Sequence, residues 1–276
     1  MYGLIRDSES TPDLNAVTFE PCCLLDCFRI DSRTRTIALV GAGGKTTLMY
    51  RLAFELRARG QKVVTTTTTK IFPPRPEESP QLVVIDDKPD LTALRRELSE
   101  FGHITVTGPR TASGKLDSVS EENIREFLAV ADCVIAEADG AAGRPIKAPE
   151  AWEPVVASFT DLVIPVVGLD AVGRAVTDDV VFRLARFLEV TGLAEGVTIT
   201  AEAVGRLLAH PQGALRNVPS RAQIIPYLNK LDLLADRSVF QEISRVAIQE
   251  SASRVGRMVA GSLKGRPETF ILLSDG

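Results

Sequence analysis

The sequence predicts an α/β protein built on a mostly parallel sheet with crossover helices. Three observations predict it. Apolar, β-branched runs alternate with helical patterns along the chain, a glycine-rich loop at 41–44 joins one run to a helix, and a second run, "VIAEADG", ends in acids. Together they point to a P-loop NTPase-like three-layer architecture. At 276 residues, 45% hydrophobic and 25% charged, the chain is sized for one such domain, taken as residues 21–276 behind an N-terminal tail at 1–20.

Each element follows from local pattern. Thr36 to Val40 reads as a strand, and the next segment to about Arg59 as a helix with apolar Leu48, Leu52, Phe54 and Leu56, closed by Gly60. "KVVTTTTT" is a strand of good β-formers, followed by the proline-rich loop "IFPPRPEESP". A strand at "QLVVID", a helix from Leu91 to Phe101 and a strand at "HITVTG" come next. "SVSEENIREFLAVA" is a helix with Ser118 or Ser120 as N-cap and acids in its first turn, leading into the strand "DCVIAEADG". Then follow the strand "DLVIPVVG", helices near Asp179–Thr191 and Ala201–Ala209, the strand "AQIIPYLN", a helix near Ser238–Arg254, and strands "GRMVAG" and "TFILL".

Composition narrows the function. A net charge of -4 with both signs spread along the chain offers no basic face to nucleic acid. The apolar runs are too short to span a bilayer and the N-terminus lacks the pattern of a secretion signal, so a cytoplasmic protein without membrane contact is expected. Cys22, Cys23, Cys27 and Cys133 form no disulfide framework, and the cluster of Cys22, Cys23 and Cys27 reads as small apolar residues on a helix, with a metal or redox-active thiol site as the alternative. His103 begins a strand and His210 precedes a proline, which argues against a His-centred triad.

The chemistry concentrates in three motifs. "GAGGKTT" lacks two residues of the full G-x-x-x-x-G-K-[ST] pattern, yet its place between strand and helix makes it a phosphate cradle. Gly41, Gly43 and Gly44 would turn backbone N–H groups inward, Lys45 would reach the β- and γ-phosphates, and Thr46, followed by Thr47, would ligate Mg²⁺. The short form is similar to the ATP loop of the Mur ligases and folylpolyglutamate synthetases. In "VIAEADG", Glu137 and Asp139 lie two apart and so on one side of a strand, Asp139 expected at the metal and Glu137 orienting a nucleophile. "NKLD" at 229–232 has the Asn-Lys-x-Asp form that reads guanine, with Asp232 discriminating and Asn229 and Lys230 shaping the pocket. Secondary candidates are Thr67, Thr69 and Lys70 at the sheet edge, Arg144 and Lys147 in "GRPIKAP", and Asp170 with Gly173 in "GLDAVG".

Read as an ordered set, the stretches at 37–47, "TTTTKIFPP" at 66–74, "EADGAAGRPIKAPEAWEPV" at 137–155, "VVGLDAVGR" at 166–174 and "IPYLNKLD" at 225–232 resemble the YqeC-type family. Those are accessory or selenium-cofactor biosynthesis proteins associated with selenium-dependent molybdenum hydroxylases. The resemblance implies a P-loop protein using GTP or ATP with Mg²⁺, acting with a molybdenum hydroxylase or its cofactor-maturation proteins. Two other readings stay open from the residues: a Mur-like or kinase-like enzyme activating a small substrate by phosphoryl or nucleotidyl transfer, and a scaffold whose conformation nucleotide sets.

Overall fold

The structure is a computed structural model that describes residues 23–234, 236, 238–264 and 270–274. The tail at 1–20 and Cys22 lie outside the described residues. After a short helix, α1 (Leu24–Cys27), comes the largely buried strand β1 (Thr36–Gly41) and helix α2 (Lys45–Ala58). Gly60, at φ 80°, ends α2 as the sequence suggests, its N–H bonded to the Arg57 carbonyl. β2 (Val63–Thr67), β3 (Leu82–Val84), α3 (Leu91–Phe101), β4 (His103–Thr107), α4 (Glu121–Phe127) and β5 (Cys133–Glu137) follow. Asp90 caps α3 through the Thr92 and Ala93 N–H groups. Ser120, not Ser118, caps α4 in a reciprocal box with Asn123.

The second half holds β6 (Ile146–Lys147), β7 (Leu162–Gly168), β8 (Val181–Phe182), α5 (Leu184–Thr191), α6 (Ala201–Ala209), β9 (Gln223–Ile224), β10 (Tyr227–Asn229), α7 (Ser238–Glu250), β11 (Arg257–Gly261) and β12 (Phe270–Ser274). Several boundaries differ from the sequence pattern, and three of them have a backbone reason. The strand expected at 222–229 is split, because Pro226 brings no N–H to a ladder. The helix expected from Asp179 starts only at Leu184, since Arg183 is left-handed at φ 65° and the two residues before it pair with β6. The last helix stops at Glu250, ahead of left-handed Ala252 and Ser253. Cys27 is disulfide-bonded, which departs from the expectation that the cysteines form no disulfide framework.

The main sheet runs β12-β11-β10-β7-β1-β5-β2-β4-β3, with β9 beside β7, and only β12 is antiparallel. Alternate residues of its strands feed opposite faces. Ile37, Leu39, Ile135 and Ile164 pack with α1 and α2, whereas Val64, Val134 and Ala136 pack under α3 and α4 and Val167 and Leu228 under α5 to α7. Helices therefore cover both faces, and the carboxyl ends of the parallel strands form one edge where loops meet.

His103 shows how the threonine strand is held. It is buried at the start of β4, its Nε2 3.0 Å from Thr65 Oγ1, and burial, with Arg57 nearby, lowers its pKa to about 4. The folded state therefore resists a proton that the unfolded chain accepts near pH 6.5. Its stabilising effect is complete above that pH and is lost, to the extent of about 3 kcal/mol, as the pH falls toward 4. His103→Gln, which keeps a partner for Thr65, should flatten the fall in melting temperature between pH 6.5 and 4.5; equal slopes in the two proteins would refute it.

Candidate functional site

The phosphate-type loop leaves β1 at the sheet's carboxyl edge and turns directly into α2. Gly43 is fixed there by crowding: a Cβ would lie 2.2 Å from the Gly168 nitrogen and 2.6 Å from the Pro145 carbonyl, all backbone atoms. At Gly44, φ 136° excludes other residues and a Cβ would meet Asn229 Nδ2 at 2.2 Å. Gly43→Ala should lower stability by about 3 kcal/mol or more, against about 1 kcal/mol for Gly60→Ala, which has the same sign of φ but open space. Denaturant midpoints of the two variants test the difference.

Lys45 does not stand exposed on the loop. It is 3% exposed, donates to the Gly41 carbonyl, and lies 3.0 Å from Asp139 Oδ1 and 3.7 Å from Glu137 Oε1. Burial alone would lower its pKa, but Asp139 and then Glu137 outweigh it and raise the value. Thr46 Oγ1 donates to Glu137 Oε2 at 2.7 Å. The register explains the meeting: β5 lies beside β1 with Glu137 opposite Leu39, so the acid emerges next to the loop.

Asp139 is placed differently from Glu137. Its Oδ2 accepts from the Gly41 N–H at 3.0 Å and lies 3.1 Å from Lys147 Nζ, beneath the loop and 2% exposed. Lys147 continues to Glu153 at 3.0 Å, and Glu153 to Arg183 at 3.3 Å. Burial works against the Glu153 carboxylate, yet Lys147 and Arg183 hold its pKa below the usual range. A ladder of alternating charges thus runs from Lys45 through Asp139, Lys147 and Glu153 to Arg183. Lys147 is consequently a buried structural cation, not a free one beside a ligand. Arg144 remains at the surface, its Nε donating to the Asp178 carbonyl.

Across the sheet, Asn229 at the end of β10 donates to the Gly43 carbonyl at 2.8 Å. Lys230, left-handed at φ 66°, pairs with Asp170 at 2.6 Å. Asp232 carries a contact that sequence reasoning missed. Its N–H donates to Ser262 Oγ at 2.9 Å, and that hydroxyl donates back to Asp232 Oδ1. Ser262 follows β11, which pairs with β10, and a lone serine after a strand has no spacing signal to reveal it. Among the threonines, Thr65, Thr66, Thr67 and Thr68 spend their hydroxyls on partners inside the fold. Thr69 and Lys70 open onto the site.

A single groove of about 930 Å³ joins these parts, bordered by Gly44, Thr46, Thr47, Glu137, Asn229 and Asp232. The size suits a nucleotide-scale ligand. Asp139 is not on its lining. A hydroxyl and a carboxylate in contact, Thr46 and Glu137, fit Mg²⁺, which keeps waters and phosphate oxygens and needs few protein ligands. Among the described residues no cluster of three or more His, Cys, Asp or Glu is set to hold a metal.

A parallel sheet whose central strand feeds a Gly-Gly-Lys-Thr turn and a helix N-terminus, flanked by an acid-tipped strand, defines a P-loop protein of the NTPase-like α/β class. The family model for "YqeC protein" matches residues 37–185. The chain is 32% identical over 221 residues to Uncharacterized protein YqeC of Escherichia coli (strain K12), covering 76% of this chain and 82% of that one. It belongs to the YqeC family. Among solved structures, chloroplast FtsY from Physcomitrella patens is similar at TM-score 0.43 and 14% identity over 96% of this chain, which spans 65% of that one. FlhF complexed with GMPPNP/Mg(2+) is similar at 0.41 and 14% over 91% and 74% of the two chains. The hydrogenase maturation factor HypB from Archaeoglobus fulgidus is similar at 0.38 and 15% over 87% and 86%. With scores below 0.5, the fold class rests on this chain's own topology.

Proposed function

We propose that the protein is a Mg²⁺-dependent, guanine-preferring nucleotide-binding protein that hydrolyses its nucleotide while assisting a molybdenum hydroxylase to mature. One observation carries the nucleotide reading: a single groove runs from the Thr46–Glu137 contact to Asp232, and Asn229 ties the two ends together through Gly43. The backbone N–H groups of Gly43, Gly44 and Lys45 would cradle phosphate at the start of α2, and Lys45 would reach it by leaving Asp139. Asp232, oriented by Ser262, would accept from guanine's N1–H and 2-amino donors, with Lys230 along the base. Bound Mg²⁺ would neutralise charge developing between the phosphates. The selenium-cofactor role and the client rest on the family likeness alone, and a cytoplasmic setting accords with them.

The geometry favours one change to the roles drawn from sequence. Glu137, in contact with Thr46 and bordering the groove, suits the metal better than Asp139, which two lysines and a backbone N–H already hold. Glu137→Gln should reduce Mg²⁺-dependent turnover about 10²–10³-fold in a stably folded protein. Asp139→Asn should chiefly destabilise, by about 3 kcal/mol, because two buried ammonium groups lose their shared carboxylate. Turnover and melting curves of both variants decide. The whole reading is tested by titrating GTP and ATP, with and without Mg²⁺, by calorimetry: no Mg²⁺-dependent binding of either would end it, and equal affinity would make ATP the default nucleotide.

A further inference from the structure

The order of strands lays the groove out as a line. Asp232 and Ser262 sit at the ends of β10 and β11, the loop follows β1, Glu137 ends β5, and beyond it come the ends of β2 and β4. With strands about 4.8 Å apart, the loop lies about 10 Å from the β10 end, while the edge continues about 14 Å further to β4. A nucleotide read at Asp232 and cradled at Gly44 therefore finishes near Glu137. The groove does not: its lining goes on to Lys70, Phe72, Lys115 and Ser118.

That far end is built on paired backbone. Ile71 and Leu116 exchange two hydrogen bonds, at 3.2 and 2.8 Å, and both side chains are buried. Extended pairing turns the neighbouring side chains outward, so Phe72 is presented to the groove at 68% exposure with Lys115 Nζ 4.9 Å from its ring centroid. Among the described residues neither Lys70 nor Lys115 makes an ion pair with a carboxylate, although ion pairs are frequent elsewhere in the chain. An ammonium over an exposed aromatic ring, with a second ammonium, Lys70, on the same lining and Asp117 the carboxylate there, suits an anion with a flat apolar body. The charge binds at the lysines and the body stacks on Phe72.

We propose, on the strength of the nucleotide reading above, that the end of the groove beyond Glu137 is a second subsite, for a small anionic ligand with an aromatic body. Such a ligand lies beside the terminal phosphate, where a phosphoryl acceptor or an activator of hydrolysis belongs.

The test uses 1-naphthyl phosphate as probe, followed by its fluorescence in the full chain, free and saturated with Mg²⁺ and GMPPNP. The probe is expected to bind in both states and to bind more tightly than 1-naphthol or inorganic phosphate. Phe72→Ala and Lys115→Gln should each weaken it about fivefold or more. GMPPNP affinity should stay within about twofold in both variants, the sites being separate. Unchanged probe affinity in either variant overturns the subsite, as does absence of binding at millimolar probe. One-for-one displacement of the probe by GMPPNP overturns it too, because the far end then belongs to the nucleotide. If GMPPNP itself does not bind, the nucleotide reading fails, and the nucleotide-free titration with the two variants still decides on the subsite.

Discussion

Lys45→Ala is expected to weaken nucleotide binding about 10²–10³-fold, since a desolvated cation facing phosphate is lost. It is also expected to unsettle the fold. Lys45 is the ammonium between Asp139 and Glu137, and its removal leaves buried carboxylates with less positive charge around them. Lys147 still serves Asp139, so the loss is set at about 3 kcal/mol, toward the low end for a broken buried pair. In a chain of this size that is a fall of about 5–10 °C in melting temperature. The alkaline side follows the same logic. A raised lysine pKa stabilises fully below the unfolded value of 10.5 and is lost as pH rises through the folded one. Calorimetry with nucleotide and a thermal melt read the two effects separately. Undiminished affinity in the folded variant would remove the phosphate role of the loop.

Asp232→Asn is expected to exchange guanine for xanthine preference. A carboxylate accepts from the 2-amino group of guanine, and an amide can instead donate to the 2-oxo group of xanthine. Sites that leave polar groups unpaired with the wrong ligand discriminate by about 10⁴. Asp232 is exposed, so part of that is lost to water, and a preference of GTP over ATP of about 10²–10³ is expected in the native protein. The variant should reverse the order of GTP and xanthosine triphosphate in competition binding. Ser262→Ala offers a milder companion: without the hydroxyl that orients Asp232, preference should shrink while phosphate-end affinity stays. No purine preference in the native chain, and none gained by the variant, would leave 229–232 as a turn.

What was legible in sequence was local. The apolar runs of β1, β5 and β7, the Gly60 end of α2 and the serine cap of α4 all depend on residues within a few positions of one another. The Gly-Gly-Lys-Thr turn and the acids of "VIAEADG" were legible for the same reason. Backbone exceptions were not, because Arg183 and Ala252 adopt left-handed conformations that no composition announces. Nor was the burial of Lys45, which depends on a strand almost a hundred residues away arriving alongside β1. The separation of Glu137 from Asp139 was hidden by the same cause. Strand alternation put them on one side, but β5 ends at Glu137, and Asp139 then drops under the loop toward Lys147. Ser262 became visible only once β11 lay next to β10.

On the nucleotide reading proposed above, the Lys45–Asp139 pair would make the protein its own competitor. A carboxylate tethered 3.0 Å from the ammonium, at high effective concentration, would hold the position that a phosphoryl oxygen takes at Lys45. The apparent dissociation constant of any phosphate ligand is then its intrinsic constant divided by the fraction of molecules whose lysine is free. The same tether would shorten residence, because Asp139 would recapture the lysine as phosphate withdraws. Lys147 holds Asp139 from the other side and would so tune how firmly that internal rival competes, from a buried position.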